Sequence, residues 1–466
     1  MKRTVILSLA LCLALAGCAG PVAPAASSGP AGAASAESAA PAAAAGAVRW
    51  LDESDGGCRY TLELPVNNRD YDNQYSVLIA TDYAARAQRP VCGRAGCAHD
   101  SPDCGAWLRR AMGVDAIGAD GGRLFLCYGQ GGLLESGDAA ADAELAAWYA
   151  ANEGAAVAHV EVVEPDGSRR RLAEIPELDS SEAGSLRLLA VDDASLYLLQ
   201  HSTADPYDAQ DDTHALLAVD LATGALTTLT RWEDRPYHDI VMAKGRSLYA
   251  LDYDLPEGES SVRGGQLERF DLDSRRWAGS ISWENEIGPD TSEGLPGAGN
   301  FVGLCGGTGG RCLLRQDQFT GTLASLDPDT GAETVLCRNL PAAAPDTRTS
   351  WQCGVLASWY TVQVRDADGA YRLFLVPRAG GEAAEVTQRQ YVSARGTEPI
   401  YLWDEWQGEF FCHVDFIETP FQDIDKDGTL YHGTRVEDVL ALLPAADLLA
   451  GSTDYISIRD WAGCTP

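Results

Sequence analysis

Three cysteines and a histidine fall within thirteen positions, in VCGRAGCAHDSPDCGAW at 91–107. Cys92, Cys97, His99 and Cys104 offer three thiolates and an imidazole, the four donors that a closed tetrahedral zinc site requires. Gly93, Gly96 and Pro102 let the backbone bend around an ion. Four residues separate Cys92 from Cys97, where zinc ribbons use two. Cys97 and His99 lie two apart, so an extended chain already turns them to one side. The rival chemistry is a disulfide between Cys92 and Cys104, worth about 3 kcal/mol in the chain-entropy model. Structural zinc supplies roughly 10 kcal/mol or more of folding energy in small fingers. Packed free thiols, or a redox role, are the third alternative, and the residues alone leave all three open.

Other segments carry weaker chemistry. Asp423, Asp425 and Asp427, followed by Gly428, resemble the start of a calcium-binding EF-hand loop. The twelfth position is Thr434, not the bidentate Glu that such a loop uses, so a hairpin turn is the stronger expectation. Cys305 and Cys312 flank GGTGGR and are placed to bridge a hairpin by a disulfide. That glycine run lacks the Lys-Ser/Thr ending of a phosphate loop. Trp351, Trp359, Trp403 and Trp406 cluster late in the chain, either as packing between repeats or as flat rings on which a ligand stacks. No G-x-S-x-G or H-E-x-x-H occurs. Carboxylates are too abundant to nominate a pair, so no catalytic residue is named.

The N-terminus positions the rest of the chain outside the cytoplasm. Lys2 and Arg3 precede an apolar run from Val5 to Leu15, too short for an ordinary spanning helix. Leu15-Ala16-Gly17-Cys18 resembles the bacterial lipobox, which implies cleavage before Cys18 and a lipid on its thiol. Two or three acyl chains anchor stably where one is marginal. Residues 21–46 are almost all Ala, Gly, Pro and Ser and read as a disordered tether. The expected organisation is a signal peptide at 1–17, a tether at 18–46, a folded body at 47–440 and a C-terminal tail at 441–466. A formal charge of −33 repels nucleic acid and anionic lipid headgroups.

The body is a repeat. VEPDGSRRRLAEI, AVDLATGALTTLTRW, FDLDSRRWAGSISW and SLDPDTGAETVLCRN each hold an apolar strand, a tight turn and a returning strand. Their anchors, Asp166, Asp220, Asp271 and Asp327, are 54, 51 and 56 residues apart. Asp82, Pro377 and Asp427 extend the phase, and an Ala/Asp-rich insertion near 131–155 accounts for the long first interval. Apolar runs such as GRLFLCY, SLYLLQ, SLYALDY and EFFCHV precede the anchors, and LRLLAVD and NFVGLCG supply a further strand. Cys127 and Cys412 fall on apolar beats of equivalent runs and read as core residues. Four strands per unit at this period predict an all-β β-propeller, with seven four-stranded blades. Each blade's apolar faces are covered only by its neighbours. The cysteine run falls at the link from the first blade to the second. VEDVLALLPAADLLAG reads as one or two short helices and TDYISI as a last strand.

The repeat phase resembles bacterial propellers of the TolB-like and quinoprotein-like kind. The lipobox, the Cys92–Cys104 run and the tail LLPAADLLAGSTDYISI together resemble a family of uncharacterised bacterial β-propeller lipoproteins. That resemblance implies architecture and brings no activity with it. The leading functional expectation is a membrane-anchored binding or assembly platform for a protein, peptide or glycan. The alternatives are a propeller hydrolase or lyase with acid/base groups converging in the channel, and a metal or redox role for the Cys/His run.

Overall fold

The structure, a computed structural model, describes residues 46–461 except 64–74, 102, 110–113, 129–157, 177–182, 204–212, 234–238, 256–261, 290–296, 393–395 and 425–429. Cys18, the tether as far as residue 45, the 131–155 insertion, Asp425 and Asp427 therefore lie outside the described residues. Asp423 is the last residue but one of the strand Glu409–Ile424 and pairs with Tyr431.

One plan recurs along the chain. Four consecutive strands pair antiparallel in sequence order, as in Val114–Asp120, Arg123–Tyr128, His159–Val163 and Arg169–Glu174. Sheets of the same order cover 183–233 and 239–284. A nine-stranded sheet is two such meanders joined by a single parallel bridge, Gly306 to Gly354. The first sheet is built on Tyr75–Asp82 and the last on Glu409–Ile424.

The expected anchors are turn caps. Asp82, Asp166, Asp220, Asp271 and Asp327 each accept hydrogen bonds from backbone N–H groups two or three residues on. A short carboxylate can close the turn of an outer hairpin in this way, which is why Asp marks the repeat.

The middle strands explain the continuous apolar runs. Alternate residues of a strand point to opposite faces, and here both faces are covered. Phe125 and Cys127 pack toward the 183–233 sheet, while Leu124 and Leu126 pack toward the first sheet. Leu196 and Leu198 face one neighbour and Tyr197 and Leu199 the other. The same alternation splits Leu313 from Leu314 and Phe374 from Leu375. Both core cysteines, Cys127 and Cys412, are fully buried. The fold is a β-propeller.

The chain of interfaces returns to its start. Phe411, Leu442 and Ile458 of the last sheet pack on Tyr83 of the first. Arg459 forms a parallel bridge with Ala87, and Gln88 N–H donates to the Arg459 carbonyl at 2.8 Å. Asp404 lies buried at this seam. It accepts hydrogen bonds from the Tyr83 hydroxyl at 2.7 Å and from the Ser54 hydroxyl. Burial, with Asp404 adjacent, holds the Tyr83 hydroxyl well above its usual range.

The N-terminal segment crosses several sheets along their inner edges. Val48 N–H donates to Gly245 O, Arg49–Trp50 pairs with Ala190 and Val191, Asp52 bridges Ala119 and Ser54 bridges Arg59. Arg49 binds Asp120 at 2.7 Å.

The tail departs from expectation. Residues 436–444 continue the strand Leu430–Pro444, and only Ala445–Leu449 is helical. Leu440, Leu442 and Leu443 pair with His413, Phe411 and Phe410. A neighbouring strand edge and two apolar faces overrode a helical propensity that is only a weak prior. Ile456–Ser457 is the expected final strand and pairs with Ala441 and Leu442.

Replacing Asp404 by Ala strands the Tyr83 and Ser54 hydroxyls in the seam. The expected cost is about 3 kcal/mol in urea unfolding. A loss below about 0.5 kcal/mol, typical of ordinary surface changes, would show that the seam does not need this carboxylate.

Candidate metal centre and binding cavity

The Cys/His run interrupts a strand; it does not simply link two blades. Ala87–Pro90 pairs with Ile79–Asp82, and Trp107–Arg109 pairs with Tyr75–Val77 of the same strand. Leu78 holds both ends of the interruption. Its carbonyl accepts from Val91 N–H at 2.9 Å, and its N–H donates to Ala106 O at 2.8 Å. The segment between is expelled from the sheet edge, and the chain re-enters the first sheet before crossing to the second. The sequence expectation placed this run at the crossover, because the short Trp107–Arg109 strand carries no repeat pattern of its own.

The expelled loop rests on the outer turn of the next sheet. A Cβ on Gly93 would lie 2.1 Å from Asp166 O, and one on Gly105 would lie 2.2 Å from Gly167 O. Only glycine allows backbones so close. Arg169 Nη1 donates to Trp107 O at 2.8 Å across the same contact.

This packing gathers the four expected residues. One donor atom from each of Cys92, Cys97, His99 and Cys104 lies within 4.8 Å of all the others. His99 Nδ1 is 3.2 Å from Cys104 Sγ. Zinc–sulfur bonds of about 2.3 Å and zinc–nitrogen bonds of about 2.0 Å give tetrahedral edges of roughly 3.5–3.8 Å, so a modest contraction closes the cage. His99 takes φ 60°, a left-handed conformation in which His is enriched. Burial lowers the His99 pKa, which keeps the ring neutral and able to ligate near pH 7. A hydrogen bond from the His99 backbone lowers the Cys97 thiol, whereas burial pushes the Cys104 thiol up to about 12. Binding a cation here therefore displaces thiol protons. The cluster can hold a metal ion. His99 also meets the edge of Trp461, with ring centroids 6.0 Å apart, so the loop touches the segment that closes the ring.

Every described cysteine is a free thiol. The expected Cys92–Cys104 and Cys305–Cys312 bridges are not formed. Cys305 and Cys312 do sit opposite each other, across a hairpin whose turn is the glycine run.

The tryptophans separate into two groups. Trp403 and Trp406 pack into the seam between last and first sheets, and Arg59 stacks over Trp403 at 5.3 Å. Trp359 packs on the neighbouring core cluster. Trp351 is buried in the core cluster between the two meanders of the nine-stranded sheet and also lines a cavity of about 410 Å³ with Tyr253, Val262, Asn285, Phe301 and Gln318. No charged side chain is among its described lining residues. It lies at the strand ends opposite the Gly307–Gly310 hairpin. Asn285 is committed to the wall, donating to Val262 O and accepting from Val302 N–H, both at 3.0 Å. Gln318 Oε1 accepts from Gly299 N–H at 2.9 Å, while Gln318 Nε2 and Trp351 Nε1 have no partner among the described residues.

Four carboxylates along the inner edges are engaged in structure. Asp120 binds Arg49, Asp192 binds Arg246, Asp239 binds Arg187, and Asp404 binds Tyr83 and Ser54. Asp192 also accepts from the N–H groups of Ala194 and Ser195.

No family model matches the sequence, and no curated protein is similar to it. Solved structures similar to it include the β-propeller domain of the Trilobed protease from Pyrococcus furiosus, at 8% identity and TM-score 0.39 over 84% of this chain and 97% of that one. The periplasmic gluconolactonase of Pseudomonas aeruginosa is 14% identical, with TM-score 0.34 over 85% of this chain and 99% of that one. TolB from Acinetobacter baumannii is 13% identical, with TM-score 0.26 over 72% and 65%. The chain spans 58% of the length of a puromycin hydrolase that it also matches. These likenesses are distant, and the propeller assignment rests on strand order and on the returning chain of interfaces.

Proposed function

We propose that this chain is a lipid-anchored, extracytoplasmic propeller of seven blades that serves as a binding platform. The observation that carries the reading is the cavity beside Trp351. In a chain of net charge −33, the described residues lining this opening include no charged side chain, and the rings of Tyr253, Phe301 and Trp351 wall it. Such a wall selects a neutral ligand with a flat apolar face and acceptor oxygens, which describes a glycan better than a charged peptide.

A metal-bound link is a second part of the reading, favoured by the donor quartet. Three thiolates and one imidazole suit zinc. The ion would fasten the expelled loop of the first sheet beside Trp461, and so brace the ring where it closes.

A glycan array probed with the soluble body, residues 47–466, is expected to give neutral oligosaccharide hits that quench tryptophan fluorescence. Phe301→Ala, which truncates a half-buried ring of the same wall, should weaken them at least tenfold without lowering the unfolding midpoint by more than a few degrees. Binding only to charged peptides, or undiminished glycan binding by the variant, would refute the cavity assignment.

Elemental analysis of the purified protein should find one zinc per chain, absent from Cys92→Ser, and a chelator should lower the unfolding midpoint. Folded wild-type protein free of metal after growth in zinc-replete medium would reject the centre.

Metabolic labelling with palmitate should mark the wild-type chain and spare Cys18→Ser. Equal labelling of both would remove the anchor.

A further inference from the structure

The fifth and sixth four-stranded units, Gly299–Cys337 and Ser350–Val386, are joined strand to strand at one place, the parallel bridge from Gly306 to Gly354. A cysteine directly precedes each glycine: Cys305 and Cys353. Residues one step before a parallel bridge stand side by side and point to the same face. Neighbouring strands run about 4.8 Å apart, inside the Cα separation of about 4.4–6.8 Å that a disulfide needs. The neighbouring Cys353 thiol, with burial, holds the Cys305 thiol well above its usual range. Cys305 is buried and Cys353 is half-buried, and both belong to the core cluster between the two units.

Cys312 is the competitor, opposite Cys305 in the hairpin. Counting from the two-residue turn that Gly307 and Gly310 close, Cys305 and Cys312 fall in the hydrogen-bonded, more widely spaced kind of antiparallel pair. Burial pushes the Cys312 thiol up to about 12.

We propose that Cys305 and Cys353 are a disulfide-forming pair that staples the two units together, with Cys312 left as a thiol. The oxidant is an external disulfide. The thiolate of the more accessible Cys353 attacks it, forming a mixed disulfide and releasing one thiolate. The Cys305 thiolate then attacks the Cys353 sulfur and expels the second. Two protein thiols lose two protons and two electrons, and one external disulfide becomes two thiols. Persistence in the cell rests on the extracytoplasmic reading, since disulfides survive in oxidising compartments. Formation in the tube does not.

The test uses the full chain, reduced and then incubated with oxidised glutathione. Remaining thiols are alkylated, and the protein is digested with trypsin without reduction. Cleavage after Arg311 separates Cys305 from Cys312. The expected result is a cross-linked pair of peptides containing Cys305 and Cys353, two mass units lighter than the reduced pair, with Cys312 alkylated. Oxidation should raise the thermal midpoint by several degrees in the wild type and in Cys312→Ser, and leave Cys353→Ser unchanged. A Cys305–Cys312 cross-link, or full alkylation of all three cysteines after oxidation, would overturn the assignment. If the oxidised link forms in the tube while protein from intact cells is fully reduced, the pairing stands and the extracytoplasmic reading fails.

Discussion

The constraint on which the structure depends is that none of its sheets can be an end. The middle strands such as Arg123–Tyr128, Ser195–Thr203, Gly310–Asp317 and Tyr371–Pro377 carry apolar residues on both faces, so each of these sheets needs two neighbours. A row of such sheets would leave one face of the first and one of the last in water. Burial is worth roughly 25 cal/mol per Å² of apolar surface, and closing the row into a ring recovers it at both ends. The contact of Tyr83 with Phe411 and Leu442 does this here. Asp404 makes the contact specific, because its two hydroxyl donors come from the first sheet and from the N-terminal segment.

The chain termini are recruited to the same task. The N-terminal segment runs across the inner edges, and the C-terminal segment pairs Arg459 with Ala87 on the outer edge of the first sheet. That outer strand is the one broken by the Cys/His loop. A cation held by the four donors would therefore stiffen an edge that is short, split and used for closure. Glycines at 93 and 105 are required whether or not the ion is present, since they set the approach of the loop to the 166–168 turn.

Much of this was legible in the sequence because it is local or periodic. Asp220 and Asp327 mark turns through their own side-chain hydrogen bonds, and GRLFLCY declares a strand buried on both faces. The four donors could be recognised by type, and their gathering followed. Other features were not legible because they join residues far apart. Asp404 looks like any other acidic residue until the ring brings Tyr83 to it from 321 positions away. Cys312 seemed the partner of Cys305 because it is near in sequence. Cys353 is brought beside Cys305 by a bridge between sheets that no repeat pattern announces. The 436–444 stretch has helix-forming residues, and only the long partner strand makes it extended.

Amide hydrogen exchange at the seam tests closure most directly. Peptides covering 77–90 and 440–459 should exchange as slowly as those from the 183–220 strands, as expected for backbone hydrogen bonds that open only with the whole ring. Fast exchange of both seam peptides, with the middle sheets still protected, would contradict a closed ring.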